Sequence, residues 1–389
     1  MTRIAILGAG PIGLEAALAA ADRGDDFTVF EAAPTVGGHV RRWGHVRTFT
    51  PWEMNVSPRM RAALPLAPDG STLPTGTQLA DELLEPIAAL PALRDRIRLD
   101  TRVLAVGREG LLKHEAIGDP RRAAAPLRLL VAGPDGMEEL VHADVVIDAT
   151  GTYGTPNRLG DGGIDAVNER AFEDRIERVL PRLDARPEHW AGRTILLTGA
   201  GHSAQTAARQ LAAFARDAPG TRIVWAVRNP TPDWGAVAGD PLPERASLSA
   251  CAAGLAAGDS DAVTLHAGCV TEALHAKGDQ IVVTLRNGGP ATVDVDRILA
   301  LNGGVGDHAL YRQLQVHECY ATSGPMKLAA ALLSSAGGDC LTVAAHGADT
   351  LRTPEPGFFI LGAKSYGRNS QFLLRIGWRQ VDDVFGALI

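Results

Sequence analysis

The chain has 389 residues, of which 46% are hydrophobic and 21% are charged, and its formal net charge is −7. This composition is typical of a globular protein with room for two domains, and it argues against disorder. The acidic charge is scattered along the chain, which argues against a nucleic-acid partner, and no apolar stretch is long enough to cross a bilayer. We therefore expect a cytoplasmic protein with a small-molecule partner, no leader segment and no membrane contact; a homodimer is left open.

The stretch from Arg3 to Glu15 predicts a buried strand that runs through a glycine-rich turn into an Ala-rich helix. The turn has the spacing G-x-G-P-x-G at residues 8–13, which we call the first cradle. In this pattern Gly8 permits the tight turn, Gly10 lets backbone N–H groups approach a pyrophosphate, and Gly13 lets the helix pack close to the strand. Because the phosphate then lies at a helix N-terminus, the pattern predicts a dinucleotide site.

Two features that follow strengthen this prediction. The apolar run Phe27–Phe30 predicts a second strand, and Glu31 follows it where an acid receives the ribose hydroxyls of an adenosine. The alternative for Glu31 is a solvated strand end. A second glycine pair, Gly37 and Gly38, comes where a long prosthetic dinucleotide needs further backbone clearance.

At this point the sequence resembles the two-dinucleotide-binding-domain flavoproteins. In that group GxGPxGL, a Glu closing the second strand and a Gly-Gly pair together hold FAD. The resemblance implies FAD in the first cradle, with Pro11 and Gly38 among its binding residues. The strand 144–151 ends in Ala-Thr-Gly, similar to the motif at which these proteins leave the FAD domain, and Gly151 would give the cofactor clearance.

The segment 41–57 is rich in aromatic and polar residues without a clean period, as expected of a loop that covers a cofactor. The alternative is a surface loop in which Trp43 and Trp52 are packing anchors. In related flavin monooxygenases an Asn at a similar distance lies beside the isoalloxazine, so the resemblance implies that place for Asn55. Trp52 and Asn55 are our candidate catalytic residues here.

The pattern of strand, glycine turn and helix occurs a second time. Residues 199–204, the second cradle, have the spacing G-x-G-x-x-A with Gly199, Gly201, Ser203 and Ala204 as candidate cofactor-binding residues. The strand that follows ends in Arg228, where the first unit has an acid. Since a guanidinium pairs bidentately with a 2′-phosphate that an acid would repel, NADPH is favoured over NADH.

Other periodic segments complete the predicted elements. They are a helix at 78–90, a strand at 97–106, a hairpin of 127–132 with 139–142, strands at 262–265 and 280–285, and a helix at 325–334.

The end of the chain predicts a strand, a glycine turn, and a helix from Gln371 to about Leu388 with Ser370 or Asn369 as its N-cap. In the related flavoproteins this part returns to the FAD domain, and the helix N-terminus would direct its positive end at the flavin pyrimidine edge. Candidate residues in the turn are Gly362, Ser365 and Tyr366 for cofactor binding and Arg368 for catalysis. A pocket for a polar or anionic small molecule is suggested by Trp43, Trp52, Lys364, Tyr366 and Arg368.

The predicted fold class is α/β, with two Rossmann-like dinucleotide-binding domains of which the FAD domain is discontinuous. We assign 1–160 and 350–389 to the FAD domain and 190–305 to the NADPH domain. The segments 161–189 and 306–349 are expected to be connections, and the sequence leaves the role of the second unassigned.

Two cradles of opposite charge predict that one nucleotide stays bound while the other delivers electrons, so hydride passes from NADPH to FAD. The resemblance to class B flavin monooxygenases then implies that reduced FAD adds O2 to give a C4a-hydroperoxide that oxygenates a small molecule, shielded by NADP+. One departure is that their F-x-G-x-x-x-H-x-x-x-W/P-like fingerprint is reduced here to His189 and Trp190. The alternative is an NADPH-dependent reductase that passes electrons to a small acceptor or carrier protein; a third hypothesis, outside enzymology, is a flavin-bound redox sensor or a decayed scaffold.

Thiol chemistry is disfavoured because the four cysteines show no C-x-x-C pair and no metal-ligand spacing. Disulfide reductases of this architecture need a redox-active thiol pair, and a related bacterial disulfide reductase has a Cys within its first glycine motif, where this chain has Ile12. Cys340 near His346 is the candidate reactive thiol, although a buried free cysteine is more often inert packing.

Overall fold

The computed structural model describes residues 1–287, 291–334, 341 and 346–388. The chain divides into two compact units, the first formed by 1–155 with 305–389 and the second by 156–304. Each unit contains a parallel sheet with helices packed on it. The predicted α/β class, with two Rossmann-like units and a first unit built from both ends of the chain, is therefore confirmed.

The strands are β1 (Arg3–Leu7), β2 (Asp26–Phe30), β3 (Ile97–Arg98), β4 (Arg102–Arg108), β5 (Leu127–Ala132), β6 (Glu138–Ala143), β7 (Val145–Asp148), β8 (Thr155–Pro156), β9 (Ile176–Glu177), β10 (Thr194–Thr198), β11 (Arg222–Val227), β12 (Val263–Ala267), β13 (Val270–Lys277), β14 (Gln280–Arg286), β15 (Thr292–Val295), β16 (Arg297–Ala300), β17 (Gly304–Val305) and β18 (Phe358–Ile360).

The α-helices are α1 (Pro11–Arg23), α2 (Gly38–Arg42), α3 (Pro58–Ala63), α4 (Gly76–Gln78), α5 (Glu85–Ala88), α6 (Pro120–Ala124), α7 (His202–Asp217), α8 (Pro243–Ala257), α9 (Met326–Ser334), α10 (Ala348–Leu351) and α11 (Leu374–Ala387). A π-helical segment, Leu79–Leu84, joins α4 to α5. The short 3-10 helices are Trp52–Met54, Arg94–Arg96, Asp161–Gly163, Glu169–Arg175, Pro187–His189, Ala309–Tyr311 and Gly362–Tyr366. No helix in these described parts is both long and apolar enough to span a membrane.

In the first unit the parallel sheet has the order β18-β7-β1-β2-β3. β1 is central and buried on both faces, which explains its uninterrupted apolar sequence. Helices α1 and α11 contribute to one hydrophobic core with this sheet. Because β18 pairs with β7, the last strand of the chain returns to the sheet that the first strand begins.

The second unit repeats this plan with the parallel order β12-β11-β10-β16-β9. A separate antiparallel sheet, β13-β14-β15, packs its apolar face into a second core of the same unit. Helix α8 and strand β13 have no counterpart in the sequence-based prediction. Their apolar residues lack a clean single period, which is the signal that prediction relies on.

The structure differs from the sequence-based elements at two further places. The strand predicted at 97–106 is two strands in different sheets, separated by Asp100 in the left-handed region (φ 48°). The last helix begins at Leu374, and its N-cap position is Leu373 without a side-chain cap, not Ser370 or Asn369. Asn369 Oδ1 instead accepts from the N–H of Gln371 at 2.9 Å, so this side chain forms a turn ahead of the helix.

The segments assigned from sequence as connections lie within the two units. In the second unit β9, from the 161–189 segment, pairs with β16 at the sheet edge. In the first unit Leu310 and Tyr311, from the 306–349 segment, are buried in the core beside Phe358. The crossings between units fall after Thr155 and before Val305.

Candidate functional site

The three glycines of the first cradle serve different purposes. Gly8 is in the left-handed region (φ 95°), and a Cβ there would lie 2.9 Å from Ala149 O. A Cβ on Gly13 would lie 1.8 Å from Gly8 O, so glycine is required for α1 to pack on the turn. A Cβ on Gly10 would meet no atom of the described residues within 4 Å. The fold therefore requires Gly8 and Gly13, whereas the space in front of Gly10 is open to a ligand.

The helices that follow the two cradles begin alike. Gly10 is the N-cap of α1 and Gly201 is the N-cap of α7, and neither N-cap provides a side-chain hydrogen bond. In this described part of the chain the two glycines therefore offer no side-chain acceptor to the first turn of either helix, and an anion at each N-terminus would serve as one. Pro11, as the first residue of α1, has no N–H to satisfy.

Glu31 is a structural part of the first cradle and not a solvated strand end. Its Oε2 accepts from the N–H of Ala9 at 2.7 Å, and its Oε1 accepts from the N–H of Ala33 at 2.9 Å. A carboxylate has about four acceptor positions. The two that remain on Glu31 are available to ribose hydroxyls, as the sequence pattern predicts.

The second glycine pair packs against this carboxylate. Gly37 is left-handed (φ 67°), and its N–H donates to Ala9 O at 3.0 Å. A Cβ on Gly38 would lie 2.4 Å from the Ala33 Cβ and 3.5 Å from Glu31 Oε1. The pair therefore lets the chain run close to the first cradle.

Gly151 lies in the turn after β7. It is left-handed (φ 71°), and a Cβ on it would lie 3.9 Å from His39 Nδ1. Burial lowers the pKa of the His39 imidazole, and Arg42 and Arg102 lower that pKa further. His39 is therefore neutral at neutral pH, with its ring 5.6 Å from that of Tyr153.

The structure shows the surroundings of the residues proposed as catalytic. The Asn55 Nδ2 group donates to Thr50 O and Pro51 O, both at 2.8 Å, and Asn55 Oδ1 accepts from Thr50 Oγ1 at 3.1 Å. Both amide hydrogens are thus used within the loop, so Asn55 has no donor left for a flavin or an oxygen species. Trp52 is buried in the core of the first unit, as in the packing-anchor alternative.

Arg368, the third such candidate, is exposed. Within the described residues no hydrogen bond or ion pair joins its side chain to the loop that contains Trp52 and Asn55. The structure therefore brings Trp52 and Asn55 into one turn and shows no bond between Arg368 and that turn in the described part of the chain. A catalytic role for any of the three stays a prediction.

The turn after β18 is organised by a side chain that sequence reasoning missed. Gln380 of α11 accepts from the N–H of Gly362 at 2.8 Å and donates to Ser365 Oγ at 2.9 Å. Ser365 in turn donates to Gly362 O. Tyr366 is buried with its hydroxyl unpartnered among the described residues, and burial raises its pKa to about 12. A neutral phenol is therefore the group in this turn that still lacks a partner.

The sequence suggested that Lys364 lines a pocket for an anionic molecule, but the structure places it elsewhere. Its side chain is fully buried, and its ammonium lies 2.5 Å from Asp148 Oδ2. Trp43 is only partly buried and packs against the core.

The second cradle reproduces the geometry of the first. Gly199 is left-handed (φ 107°), and a Cβ there would lie 2.3 Å from Leu301 O. Gly201, like Gly10, would meet no atom of the described residues within 4 Å. Ala204 is fully buried under the turn, whereas Ser203 is exposed in the first turn of α7.

The backbone of the second cradle is hydrogen-bonded to the indole of Trp225, whereas that of the first cradle is hydrogen-bonded to the carboxylate of Glu31. Trp225 of β11 is completely buried, and its Nε1 donates to Gly199 O at 2.8 Å. Its ring lies 4.6 Å from that of Trp234. An aromatic donor on the strand beside the glycine turn is visible in the sequence and could have indicated this contact. The distance between donor and acceptor is known only from the structure.

Strand register places Arg228 one residue further along than the sequence comparison assumed. Leu7 pairs with Phe30, so Glu31 is opposite Gly8, whereas Thr198 pairs with Ala226. The counterpart of Glu31 is therefore Val227, which is buried. Arg228 follows it, exposed and without a hydrogen bond or ion pair in the described part of the chain. The argument for NADPH over NADH is unchanged, because Val227 provides no acid at this position and Arg228 provides a guanidinium at the next one.

Arg228→Ala is expected to narrow the preference for NADPH over NADH by about tenfold or more, because a charge-assisted contact with the 2′-phosphate contributes on the order of 1.5–3 kcal/mol. Dissociation constants of both coenzymes, measured by titration of wild type and variant, test this. Arg222→Ala, at the exposed start of the same strand, is the matched control and should leave the ratio unchanged. Equal affinities for the two coenzymes in the wild type would contradict the assignment.

The described cysteines are all free. Cys269 is buried, which raises its pKa, and its Sγ donates to Asn287 O at 2.7 Å. Cys319 is partly exposed, and the neighbouring polar groups of Thr322 lower its pKa. Cys340 lies outside the described residues. Among the described residues no group of His, Cys, Asp or Glu is arranged to hold a metal ion.

Comparison with known proteins places this geometry in a known architecture. The sequence profile of the NAD(P)-binding Rossmann-like domain family matches residues 6–62, which contain the first cradle. No curated protein matches the chain. The solved structure of the bacillithiol disulfide reductase Bdr (YpdA) from Bacillus cereus is similar, with a TM-score of 0.71 at 18% identity over 99% of this chain and 98% of that chain.

Two monooxygenases are similar as well. DfoA, a cadaverine monooxygenase from Erwinia amylovora solved with FAD, has a TM-score of 0.67 at 12% identity over 98% of this chain and 92% of that chain. The ornithine N-hydroxylase KtzI from Kutzneria sp. 744, solved with FAD, NADP+ and L-ornithine, has a TM-score of 0.63 at 15% identity over 100% and 98%. At these identities the likeness establishes the fold. The chain therefore has the fold of these proteins, with two Rossmann-like units, and the resemblance stated from sequence is confirmed at the level of the fold.

Proposed function

We propose that the protein is an FAD-containing oxidoreductase that uses NADPH. The observation that carries this proposal is the pair of cradles, which share glycine geometry and uncapped helix N-termini but differ in charge, Glu31 beside the first and Arg228 beside the second. An acid suits free ribose hydroxyls and a guanidinium suits a 2′-phosphate. A dehydrogenase with one nucleotide would need one such site.

The residues of the first unit fit FAD. Open space at Gly10 and the uncapped N-terminus of α1 suit the pyrophosphate, and Glu31 suits the adenosine ribose. Gly38 lets the chain pack close to Glu31, and the space at Gly151 is limited only by His39 among the described residues. When bound, FAD supplies two-electron exchange with NADPH and one- or two-electron exchange with an acceptor. The chain itself would bind and orient the two nucleotides and exclude water.

We further propose that the acceptor is O2 and that a small molecule is oxygenated. Two of the similar structures are monooxygenases that act on amines by name. Ile12 is buried against Gly362 and Gly377, so the position at which a thiol would enter the first glycine motif is filled by apolar packing. Oxygen chemistry needs no thiol relay.

Electron transfer to a small acceptor or carrier protein is the second candidate. It is favoured by the similarity to the bacillithiol disulfide reductase and by the lowered pKa of the partly exposed Cys319, which favours its thiolate. The two candidates share both cofactors and differ only in the acceptor.

Rapid mixing of NADPH-reduced protein with O2 distinguishes the two candidates. For a monooxygenase we expect a transient absorbance, distinct from reduced and oxidised flavin, that lasts longer when NADP+ is present. Cys319→Ser should leave this transient unchanged. Direct return to oxidised flavin, together with fast reduction of a quinone, or with fast reduction of a disulfide that Cys319→Ser abolishes, would favour the reductase and leave both cofactor assignments in place.

A further inference from the structure

A fully buried ion pair lies at the end of β7. The Lys364 ammonium is 2.5 Å from Asp148 Oδ2, and neither side chain is exposed. It also donates to Asp307 O at 2.8 Å and lies 3.3 Å from Thr150 Oγ1, so its three N–H bonds have three acceptors. The lysine stem has room because residue 306 is Gly306, where a Cβ would lie 2.3 Å from the Lys364 Cγ.

The other oxygen of Asp148 accepts hydrogen bonds from the turn that contacts the first cradle. Oδ1 accepts from the N–H of Thr150 at 3.1 Å and from Thr150 Oγ1 at 2.7 Å. These bonds hold the turn Ala149–Gly151. Ala149 O and Thr150 Cα lie 2.9 Å and 3.4 Å from the place a Cβ would take on Gly8. The Asp148 carboxylate therefore fixes the conformation of the segment that contacts the glycine turn of the first cradle.

Lys364 brings separate segments of the first unit to the same edge. It belongs to the turn after β18, whose Gly362 lies against Ile12 in the first turn of α1. Strands β18, β7 and β1 are parallel neighbours, so their carboxyl ends share one edge of the sheet, where ligands bind in open α/β folds. The ammonium thus joins the turns after β7 and β18 beside the first cradle.

The ion pair is not the arrangement that stability alone would favour. Replacing a buried pair with apolar residues of similar volume is often neutral or stabilising, whereas a directed set of hydrogen bonds fixes geometry. The ring of Tyr311, centred 5.0 Å from the ammonium, adds a favourable contact to the charged form.

We propose that Lys364 is a positioning residue for the flavin site, acting through Asp148 to hold the Thr150–Gly151 turn in the shape that admits FAD. This inference rests on the proposed binding of FAD in the first cradle. Lys364 itself need not touch the cofactor.

The test uses a volume-matched apolar pair, Asp148→Leu with Lys364→Met, which removes both charges and the acceptor for Thr150. We expect its urea midpoint to stay at or above that of wild type, while its FAD dissociation constant rises at least about tenfold. The visible circular dichroism of bound FAD should also change, which a purely structural pair would not cause. Asp148→Asn with Lys364→Met keeps an acceptor for Thr150 and should bind FAD with intermediate affinity.

The matched control replaces a buried pair in the second unit, Arg245→Met with Asp240→Leu, and should leave FAD affinity unchanged. Should the apolar pair fail to fold, Thr150→Val tests the same turn without touching the charges, and we expect weaker FAD binding and altered visible circular dichroism. FAD affinity within twofold of wild type, with an unchanged spectrum, in the folded variants would overturn the inference alone. A wild-type protein that binds no FAD would overturn the proposed function and the inference with it.

Discussion

Gly10→Val is expected to give a folded protein that purifies without FAD. The Gly10 backbone is extended (φ −82°, ψ −173°), which valine adopts readily, and a Cβ there would meet no atom of the described residues within 4 Å. The branched side chain would occupy the space in front of the α1 N-terminus, where we propose that the pyrophosphate binds. We expect FAD affinity to fall by at least about 100-fold, or ~2.8 kcal/mol, measured by titration of the apoprotein.

The second cradle offers a matched control. Gly201 has nearly the same backbone (φ −73°, ψ 174°) and the same open space, so Gly201→Val should also fold. It is expected to keep FAD and lose NADPH, the reverse of Gly10→Val. A Gly10→Val protein with a full complement of flavin would remove FAD from the first cradle. Gly13→Val is not a usable test, because its Cβ would lie 1.8 Å from Gly8 O.

Sequence could predict the two cradles because their constraints are local. In each cradle the strand, the glycine turn and the helix follow one another directly along the chain, and Gly13 is constrained by Gly8, which is close in sequence. The resemblance added the discontinuous first unit, and the pairing of β18 with β7 agrees with it. These features concern the backbone, which a short motif specifies well.

The side chains of the site were harder to predict, because their partners are set by register and loop closure. Arg228 is shifted by one residue since β10 and β11 pair with Thr198 opposite Ala226. Asn55 satisfies carbonyls four and five residues earlier in its own loop. Lys364 pairs with Asp148, 216 positions away. A spacing rule carries no information on contacts of these kinds.

A buried cluster of one acid and two arginines in the first unit is a further arrangement that sequence spacing does not predict. It is also where we expect a substitution to lower stability most. Glu355 Oε1 lies 2.6 Å from Arg108 Nη2, and Glu355 Oε2 lies 2.7 Å from Arg122 Nη2, with exposures of 0% for the acid and 1% for each base. The N–H of Gln315 donates to the same Oε2 at 2.7 Å. The acid precedes β18 by three residues and is separated from Arg108 by 247 positions, so no sequence pattern predicts it.

Glu355→Gln is expected to lower the free energy of unfolding by ~3–5 kcal/mol, because it leaves two guanidinium groups buried without a counter-charge. Urea unfolding followed by far-ultraviolet circular dichroism measures the change. Glu85→Gln is the matched control: its partner Arg41 is at 2.6 Å, but the side chains are 50% and 27% exposed, and we expect a loss of only about 0–1 kcal/mol. If instead Glu355→Gln unfolded at the same urea concentration as Glu85→Gln, the cluster would contribute no more than a surface pair. Since Glu355 anchors the chain just before β18, the expected loss would also release the strand that leads to Gly362 and Lys364 beside the first cradle.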